Sequence, residues 1–326
     1  MARLVAHRAV VALLGALAFV IPALSGCGNV QPPGPAVAAA PDPMPAPKTD
    51  LHFGPAGSFP AEVGKLHGIA IDANDRIYLV GSAGVRVLGA DRKQLAAWKV
   101  PDNACAIAVG SDGTVYVGLT ASVLKFDPAG KPLGRFGKEG PDTGQLRRIT
   151  SIAVTAENIY VADARNLCIN RYALDGDFIN DIGKRDRERN VIGLVAPSPY
   201  LDVVVDKDAR VLVGNTGRLR VETYGPDGKL LRMWGQPGTQ PDRFCGCCNP
   251  TNIALTPEGN IVTAEKGIPR VKVYDPAGKM LAYIGPENFP QDSAGMDLAV
   301  DSKGSVYVAE PVKGLVMVFA PLKPKE

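Results

Sequence analysis

A sequence repeat that runs through most of the chain is the strongest constraint on its fold. Six segments share one pattern and place an apolar residue at equivalent positions, namely Ile69, Ile107, Ile152, Val203, Ile253 and Leu298. These positions lie 38, 45, 51, 50 and 45 residues apart. Repeats of about 40–50 residues are typical of propeller blades, in which each repeat forms one small sheet. The repeat therefore predicts a propeller with six blades.

Each repeat encodes four short strands. A short apolar run comes first and does not alternate, which indicates a strand buried on both faces. A turn of Asp, Asn, Gly or Ser follows, and then a second run rich in β-branched and aromatic residues. The third strand ends in an aromatic residue before turns such as Asp275–Gly278, and the fourth often ends in an aromatic residue and glycine, as in Trp234-Gly235. The predicted fold is all-β, a six-bladed β-propeller of four-stranded antiparallel blades.

The sixth repeat is shorter than the others. It ends after its third strand, at Phe319. The segment Leu51–Gly54 lies just ahead of the first repeat, and we predict that it supplies the outer strand of the sixth blade. Such an exchange joins the two ends of the ring, so the propeller is closed by an N-terminal strand.

The repeat pattern resembles the NHL repeat family, and the fifth and sixth repeats resemble it best. The resemblance covers nearly all of residues 51–326 and implies a six-bladed propeller that binds its partner on the top face, where each inner strand begins. Some NHL-like propellers are lyases that hold a metal with several histidines. Only His52 and His67 follow residue 26, so a site of three histidines is excluded.

The N-terminal residues predict export and a lipid anchor. Two arginines precede an apolar run of sixteen residues, Ala9–Leu24, which is shorter than the roughly 20 residues of a membrane-spanning helix and fits a signal peptide. Leu24–Cys27 resembles the lipobox of bacterial lipoproteins, which implies that residues 1–26 are removed and Cys27 is lipidated. An ordinary signal peptide with an incidental cysteine is the alternative.

The segment that follows is rich in proline and alanine. Residues 27–50 therefore form a predicted tether between the anchor and the propeller of residues 51–326. The predicted location is extracytoplasmic, on the periplasmic or cell-surface side of a bacterial membrane. Of the 36 basic and 33 acidic residues, two arginines lie before residue 27, so the exported chain is almost neutral. This balance argues against nucleic acid as a partner.

Three cysteines lie in the loop that enters the fifth blade. They are Cys245, Cys247 and Cys248 within Phe244–Pro250, and the alignment places Cys105, His67 and Met296 near the same channel mouth. Thiolate, thioether and imidazole ligands suit a soft metal ion or an Fe–S centre. Exported proteins also use cysteine for disulfides, and either Cys245–Cys248 or Cys247–Cys248 is a candidate pair. Both interpretations stay open.

The alignment also predicts a set of polar residues on the top face. The set comprises Asp163, Asp202, Asn215, Asn252, Glu265, Lys266, Asp297 and Glu310. Converging oxygen ligands at the channel mouth suit Ca²⁺ or a polar ligand. The alternative is that these acids belong to the repeat itself and accept hydrogen bonds from loop N–H groups.

Three classes of function follow from these features. The first is a non-catalytic module that binds a protein, peptide or glycan partner through its top face. The second is a metal-binding or redox accessory protein that uses the loop Cys245-Gly246-Cys247-Cys248. The third is a metal-dependent lyase or lactonase-like hydrolase. No catalytic residue is assigned, because the sequence carries no nucleophile-elbow, zinc-protease or phosphate-loop motif. The sequence favours the first class.

Overall fold

The computed structural model describes residues 47–186, 188 and 192–322. The predicted signal peptide, the lipidated Cys27 and most of the tether lie outside the described residues. The described chain forms twenty-four strands and two short 3-10 helices, η1 (Thr216–Arg218) and η2 (Pro286–Asn288). None of the described helices is long and apolar enough to span a membrane.

The strands form six sheets of four strands each. In five sheets the four strands are consecutive in the chain, and the sixth combines the last three of these strands with the first. The first three blades comprise β2 (Leu66–Ile71), β3 (Ile77–Gly81), β4 (Gly84–Leu88) and β5 (Gln94–Trp98); β6 (Ala106–Val109), β7 (Val115–Gly118), β8 (Val123–Phe126) and β9 (Pro132–Phe136); and β10 (Ile149–Val154), β11 (Asn158–Asp163), β12 (Cys168–Ala173) and β13 (Phe178–Ile182).

The other three blades repeat this arrangement. They comprise β14 (Asp202–Val205), β15 (Val211–Asn215), β16 (Arg220–Tyr224) and β17 (Leu230–Trp234); β18 (Asn252–Leu255), β19 (Ile261–Glu265), β20 (Arg270–Tyr274) and β21 (Met280–Ile284); and β22 (Asp297–Val300), β23 (Val306–Glu310) and β24 (Leu315–Pro321) with β1 (Phe53–Pro60). All neighbouring strands within a blade pair antiparallel. The first strand of each blade contacts the first strands of both neighbouring blades, from β2 around to β22 and back. The predicted six-bladed propeller is confirmed.

The ring is closed by the N-terminal strand, as predicted. β1 pairs antiparallel with β24, from Phe53 opposite Pro321 to Pro60 opposite Leu315. The strand begins and ends later than the predicted Leu51–Gly54, since it runs from Phe53 to Pro60. The prediction stopped at Gly54 because Pro55-Ala-Gly57 resembles a turn in sequence. A bulge between Pro55 and Gly57 accommodates this segment, and an edge strand tolerates proline because one side of its backbone needs no partner.

Within a blade, burial is greatest in the second strand and lowest in the outermost strand, and the first strand is only partly buried. Every residue of the second strands is buried, in β3, β7, β11, β15, β19 and β23. The fourth strands β9 and β17 are mostly exposed. Apolar clusters lie between neighbouring blades, such as the cluster of Val262, Val271 and Val306 between the fifth and sixth blades. The sequence predicted burial on both faces for the first strands, but these line the channel and are only partly buried. The second strands, which are mostly apolar, are the ones buried on both faces.

Candidate functional site

The loops that enter the first strands form the top face, together with the turns that follow the second strands. At its centre, a cavity of about 490 Å³ opens above the channel. Its polar side chains include Lys65, His67, Arg148, Tyr200 and Asp292. Below it, the six first strands line a channel of about 280 Å³. We call the upper space the mouth cavity.

Positive charge dominates the mouth cavity. Lys65 and Arg148 are exposed there, and the ammonium group of Lys266 lies 5.2 Å from the ring centre of Tyr200, which lines the cavity. None of these three cations has a carboxylate within 4 Å among the residues that the structure describes. The lining contains one acidic residue, the exposed Asp292. The cavity is therefore suited to an anionic group.

His67 presents one ring nitrogen to the mouth cavity. Its Nδ1 lies 2.6 Å from the carbonyl oxygen of Ala104. A carbonyl oxygen can only accept a hydrogen bond, so Nδ1 carries the hydrogen. In the neutral ring Nε2 is then the acceptor, since a bond at one nitrogen sets the role of the other. His67 thus offers a fixed acceptor when neutral and a donor when protonated.

Cys105 lines the same cavity as a neutral thiol. Its Sγ lies 3.1 Å from the carbonyl oxygen of Ile149 and 3.3 Å from that of Gly118, so either oxygen can accept its one S–H hydrogen. Burial raises the pKa of Cys105 to about 12, although the charge of Arg148 acts in the opposite direction. A cysteine nucleophile reacts as the thiolate, so this environment does not activate Cys105 as a nucleophile.

Asp202, Asn252 and Asp297 lie at the start of three adjacent inner strands, where Asp202 and Asp297 line the channel and Asn252 lines the mouth cavity. Oδ2 of Asp202 accepts the N–H of Ile253 at 2.6 Å, and Oδ2 of Asp297 accepts the N–H of Ile69 at 2.8 Å. Each carboxyl group therefore connects its own strand to the first strand of the next blade. Nδ2 of Asn252 donates to Oδ1 of Asp297 at 3.2 Å.

Burial changes the protonation of both carboxyl groups. It raises the pKa of Asp202 to about 7, and the neighbouring carboxylate of Asp297 acts in the same direction. Burial likewise raises the pKa of Asp297 to about 6. Calcium requires about 6–8 oxygen ligands, whereas these oxygens accept backbone N–H groups. Within the described residues no three His, Cys, Asp or Glu side chains are placed to hold a metal ion. The residues present do not fit the predicted calcium site.

Four of the predicted top-face residues support loops instead of facing a ligand. Asp163, Asn215, Glu265 and Glu310 are fully buried. The carboxylate of Asp163 accepts four backbone N–H groups, from Arg147, Arg148, Arg165 and Asn166, at 2.7–3.1 Å. Glu310 accepts the N–H groups of Val312 and Lys313 and the hydroxyl of Ser293, and Asn215 accepts the N–H of Val195. Their placement corrects the expectation of a ligand-binding role and matches the alternative, loop capping.

Glu265 holds the cysteine loop. Its Oε2 accepts the N–H of Cys245 at 2.9 Å, and its Oε1 lies 2.9 Å from Nε of Arg270 and 2.6 Å from Nζ of Lys272. All three charged side chains are at most 1% exposed. Lys272 also lies over the Phe244 ring, with Nζ 4.3 Å from the ring centre. A buried network of charges therefore fixes the start of the loop.

The predicted metal-ligating residues are distributed over three places. His67 and Cys105 line the mouth cavity. Cys245, Cys247 and Cys248 lie in their own loop, and Met296 is fully buried among apolar residues between the fifth and sixth blades. The alignment wrongly placed Met296 at the mouth, because it gave the residue before the inner strand one orientation in all blades. All five described cysteines are free thiols.

Lys65, Arg148 and Tyr200 were not singled out from the sequence. They lie in the loops that connect one blade to the next, and these loops differ in length and fall outside the repeat. The adjacent pair Arg147-Arg148, just before the third inner strand, is the one sequence signal that indicated a basic mouth.

The described propeller is similar to solved structures at the level of the fold. A streptogramin B lyase matches with a TM-score of 0.56 and 12% identity, over 82% of this chain and 97% of the lyase. A virginiamycin B lyase from Staphylococcus aureus matches with a TM-score of 0.55 and 10% identity, over 81% and 98% of the two chains. A chain of the mitotic checkpoint complex matches with a TM-score of 0.56 and 10% identity, over 92% of this chain and 99% of that chain. No family model and no curated protein matches the sequence. At 10–12% identity the similarity shows the propeller fold alone, and no activity or ligand of these proteins can be assigned to this chain.

Proposed function

We propose that this protein is a binding module whose site is the mouth cavity on the top face, and that its partner is a protein or peptide segment that presents carboxylates. The observation that carries the proposal is the pair of cations that line the mouth cavity, Lys65 and Arg148, together with Lys266 against the ring of Tyr200. None of the three has a carboxylate partner within the described residues. Hydrogen bonds between a cation and a carboxylate are among the strongest that a protein surface offers. An uncharged glycan would leave these cations unused.

The other residues of the mouth cavity support recognition over catalysis. Tyr200 offers an aromatic surface beside the cations, and His67 offers one hydrogen-bonding nitrogen of fixed position. Cys105 is kept protonated by burial, so it is no activated nucleophile. The propeller framework holds these groups on loops above a rigid ring, which is a common arrangement for a binding site.

We also propose that the propeller is exported and anchored by a lipid on Cys27. The lipobox-like segment Leu24–Cys27 and the tether of residues 27–50 support this proposal. Metabolic labelling with a palmitate analogue in a bacterial host tests it. The wild-type chain should incorporate the label and fractionate with membranes, whereas the C27S chain should do neither. Equal labelling of both chains would refute the anchor.

Fluorescence anisotropy with short synthetic peptides tests the binding proposal. We expect a glutamate-rich peptide to bind, and a glutamine peptide of the same length to bind at least tenfold more weakly. R148E and K65E should each weaken binding of the glutamate peptide by about tenfold or more, since a charge reversal removes one strong contact and adds a repulsion.

K131E is the matched control, because Lys131 is exposed in a turn on the opposite face and its reversal changes the net charge equally. A similar loss of affinity in K131E would show that net charge alone drives binding. Equal affinity for the two peptides, or no binding of either, would also contradict the proposed site.

A further inference from the structure

Two adjacent cysteines form the tip of the loop that enters the fifth blade. The Sγ atoms of Cys247 and Cys248 lie 3.2 Å apart and share a hydrogen bond. Cys247 is exposed, whereas Cys248 is 3% exposed. The pair therefore combines one thiol that solvent reaches with a second thiol in direct contact beneath it.

The other three described thiols are engaged elsewhere. Burial raises the pKa of Cys105 and of Cys168 to about 12. Cys245 is 4% exposed, and its Sγ lies 3.5 Å from the carbonyl oxygen of Lys266. Among the described cysteines, Cys247 is thus the most exposed, whereas Cys105 is partly exposed at the mouth cavity and the other three are buried.

Hydrogen bonds with Asn249 and Glu265 fix the two ends of the cysteine loop. Nδ2 of Asn249 donates to the carbonyl oxygen of Cys245 at 2.7 Å and to that of Lys266 at 3.0 Å, and Oδ1 of Asn249 accepts the N–H of Lys266 at 2.9 Å. The N–H of Cys245 is held by the buried Glu265. Both ends of the segment Cys245–Asn249 are therefore fixed, and between them Gly246 and Cys247 are exposed while Cys248 is buried.

The free space around Gly246 shows that the tip is open to approach. A Cβ atom added to Gly246 would meet no atom within 4 Å, and its φ of +69° lies in the left-handed region that favours glycine. Gly246 therefore places no side chain beside Cys247, which is itself exposed.

We propose that Cys247 and Cys248 are a redox site, which exchanges with a low-molecular-mass disulfide and closes reversibly to a disulfide between adjacent residues. In the first step the Cys247 thiolate attacks one sulfur of the incoming disulfide. A mixed disulfide forms on Cys247, and one thiolate leaves. In the second step the Cys248 thiolate attacks Sγ of Cys247, the Cys247–Cys248 bond forms, and the second thiolate leaves.

The exchange balances without a further reagent. The two protein thiols lose two electrons and two protons, and the incoming disulfide takes up both to become two thiols. The Sγ–Sγ separation of 3.2 Å must shorten to a bond of about 2.0 Å, which requires only a local movement of the loop tip.

The adjacency of the two residues makes the bond easy to reduce. Consecutive Cα atoms are about 3.8 Å apart across a trans peptide, whereas disulfides usually span a Cα separation of about 4.4–6.8 Å. Closing the ring therefore stores strain, and strained or exposed disulfides are the labile ones. The site is suited to switching and poorly suited to a permanent staple.

Mass spectrometry of the reduced protein after incubation with oxidised glutathione tests the proposal. The wild-type chain should lose the mass of two hydrogen atoms and retain no glutathione, and a non-reducing digest should place the bond between Cys247 and Cys248. Reduced glutathione should reverse the change. C248S lacks the resolving thiol and should accumulate a stable glutathione adduct on Cys247.

C168S is the matched control, because Cys168 is buried in the third blade and its loss should leave the reaction unchanged. C247S should react much more slowly than the wild type. A bond between Cys245 and Cys248, a lasting glutathione adduct on the wild-type chain, or no reaction at all would overturn the proposal. The wild-type measurement needs no substitution, so a variant that fails to fold does not affect the result.

Discussion

The carboxyl groups that line the channel show how burial alters the chemistry of a common side chain. Asp202 accepts a backbone N–H group of the next blade, a bond that favours the charged carboxylate. Burial and a neighbouring carboxylate nevertheless raise the pKa of Asp202 to about 7. The repeat alignment placed Asp202, Asn252 and Asp297 at equivalent positions, and the structure places Asp202 and Asp297 in the channel and Asn252 at the mouth cavity above it. Their bonding to neighbouring strands was not predictable, because the alignment describes one blade and these bonds join two.

The raised pKa of Asp202 predicts that stability falls as the pH rises. The ordinary pKa is 3.8 and the folded value is about 7. Between these values the folded state binds a proton that the unfolded state has released, so raising the pH through this range costs folding free energy. We expect D202N to flatten the dependence, since Asn252 shows that the ring accepts an amide. Urea unfolding at several pH values between about 4 and 8 measures this effect.

D292N is the control for this experiment, because Asp292 is exposed and its loss should leave the pH dependence of the wild type intact. If D202N and wild type lost stability in parallel between these pH values, the carboxyl group of Asp202 would not be the cause.

The top-face loops show the limits of the repeat at the scale of one element. Strands and hairpin turns recur in every blade, so their pattern was readable from the sequence. The loops between blades do not recur, and they carry Lys65, Arg148 and Tyr200 as well as the cysteine pair. The buried acids at the ends of the second strands are part of the repeat, but their loop partners differ from blade to blade.

Glu265 is the residue on which the cysteine loop depends most. E265Q removes the negative charge and leaves Arg270 and Lys272 buried without a counter-charge. Breaking a buried ion pair in this way costs about 3–5 kcal/mol. We expect E265Q to lower the free energy of unfolding by about that amount in chemical denaturation. E258Q, an exposed acid in a turn of the same blade, should change it by less than about 0.5 kcal/mol. Equal stability of the two variants would show that the network contributes little.

The whole molecule is a ring whose architecture depends on the strand pattern and whose chemistry depends on the loops. This division explains why solved propellers at 10–12% identity share the fold. Apolar second strands and Asp- or Gly-containing turns are sufficient to build a blade, and many sequences satisfy that requirement. The repeat spacing therefore predicted six blades and their closure. It carried no information about which cations would meet at the mouth, because their loops lie outside the repeat.

Ring closure by β1 leads to a prediction about the whole molecule. β1 covers the outer edge of the sixth blade, where Val316, Val318 and Phe319 of β24 are buried. A chain that begins at Ala61 lacks β1 and leaves this edge unpaired, and an unpaired edge strand readily pairs with another molecule. We expect Tm to fall by on the order of ten degrees relative to a chain that begins at Thr49, and we expect size-exclusion chromatography to show self-association.

A monomeric truncated chain with unchanged Tm would mean that β1 contributes nothing to closure. If a synthetic peptide of residues 51–60, added in excess, restores both Tm and the monomer, the missing strand itself and not a general defect of the shorter chain causes the loss.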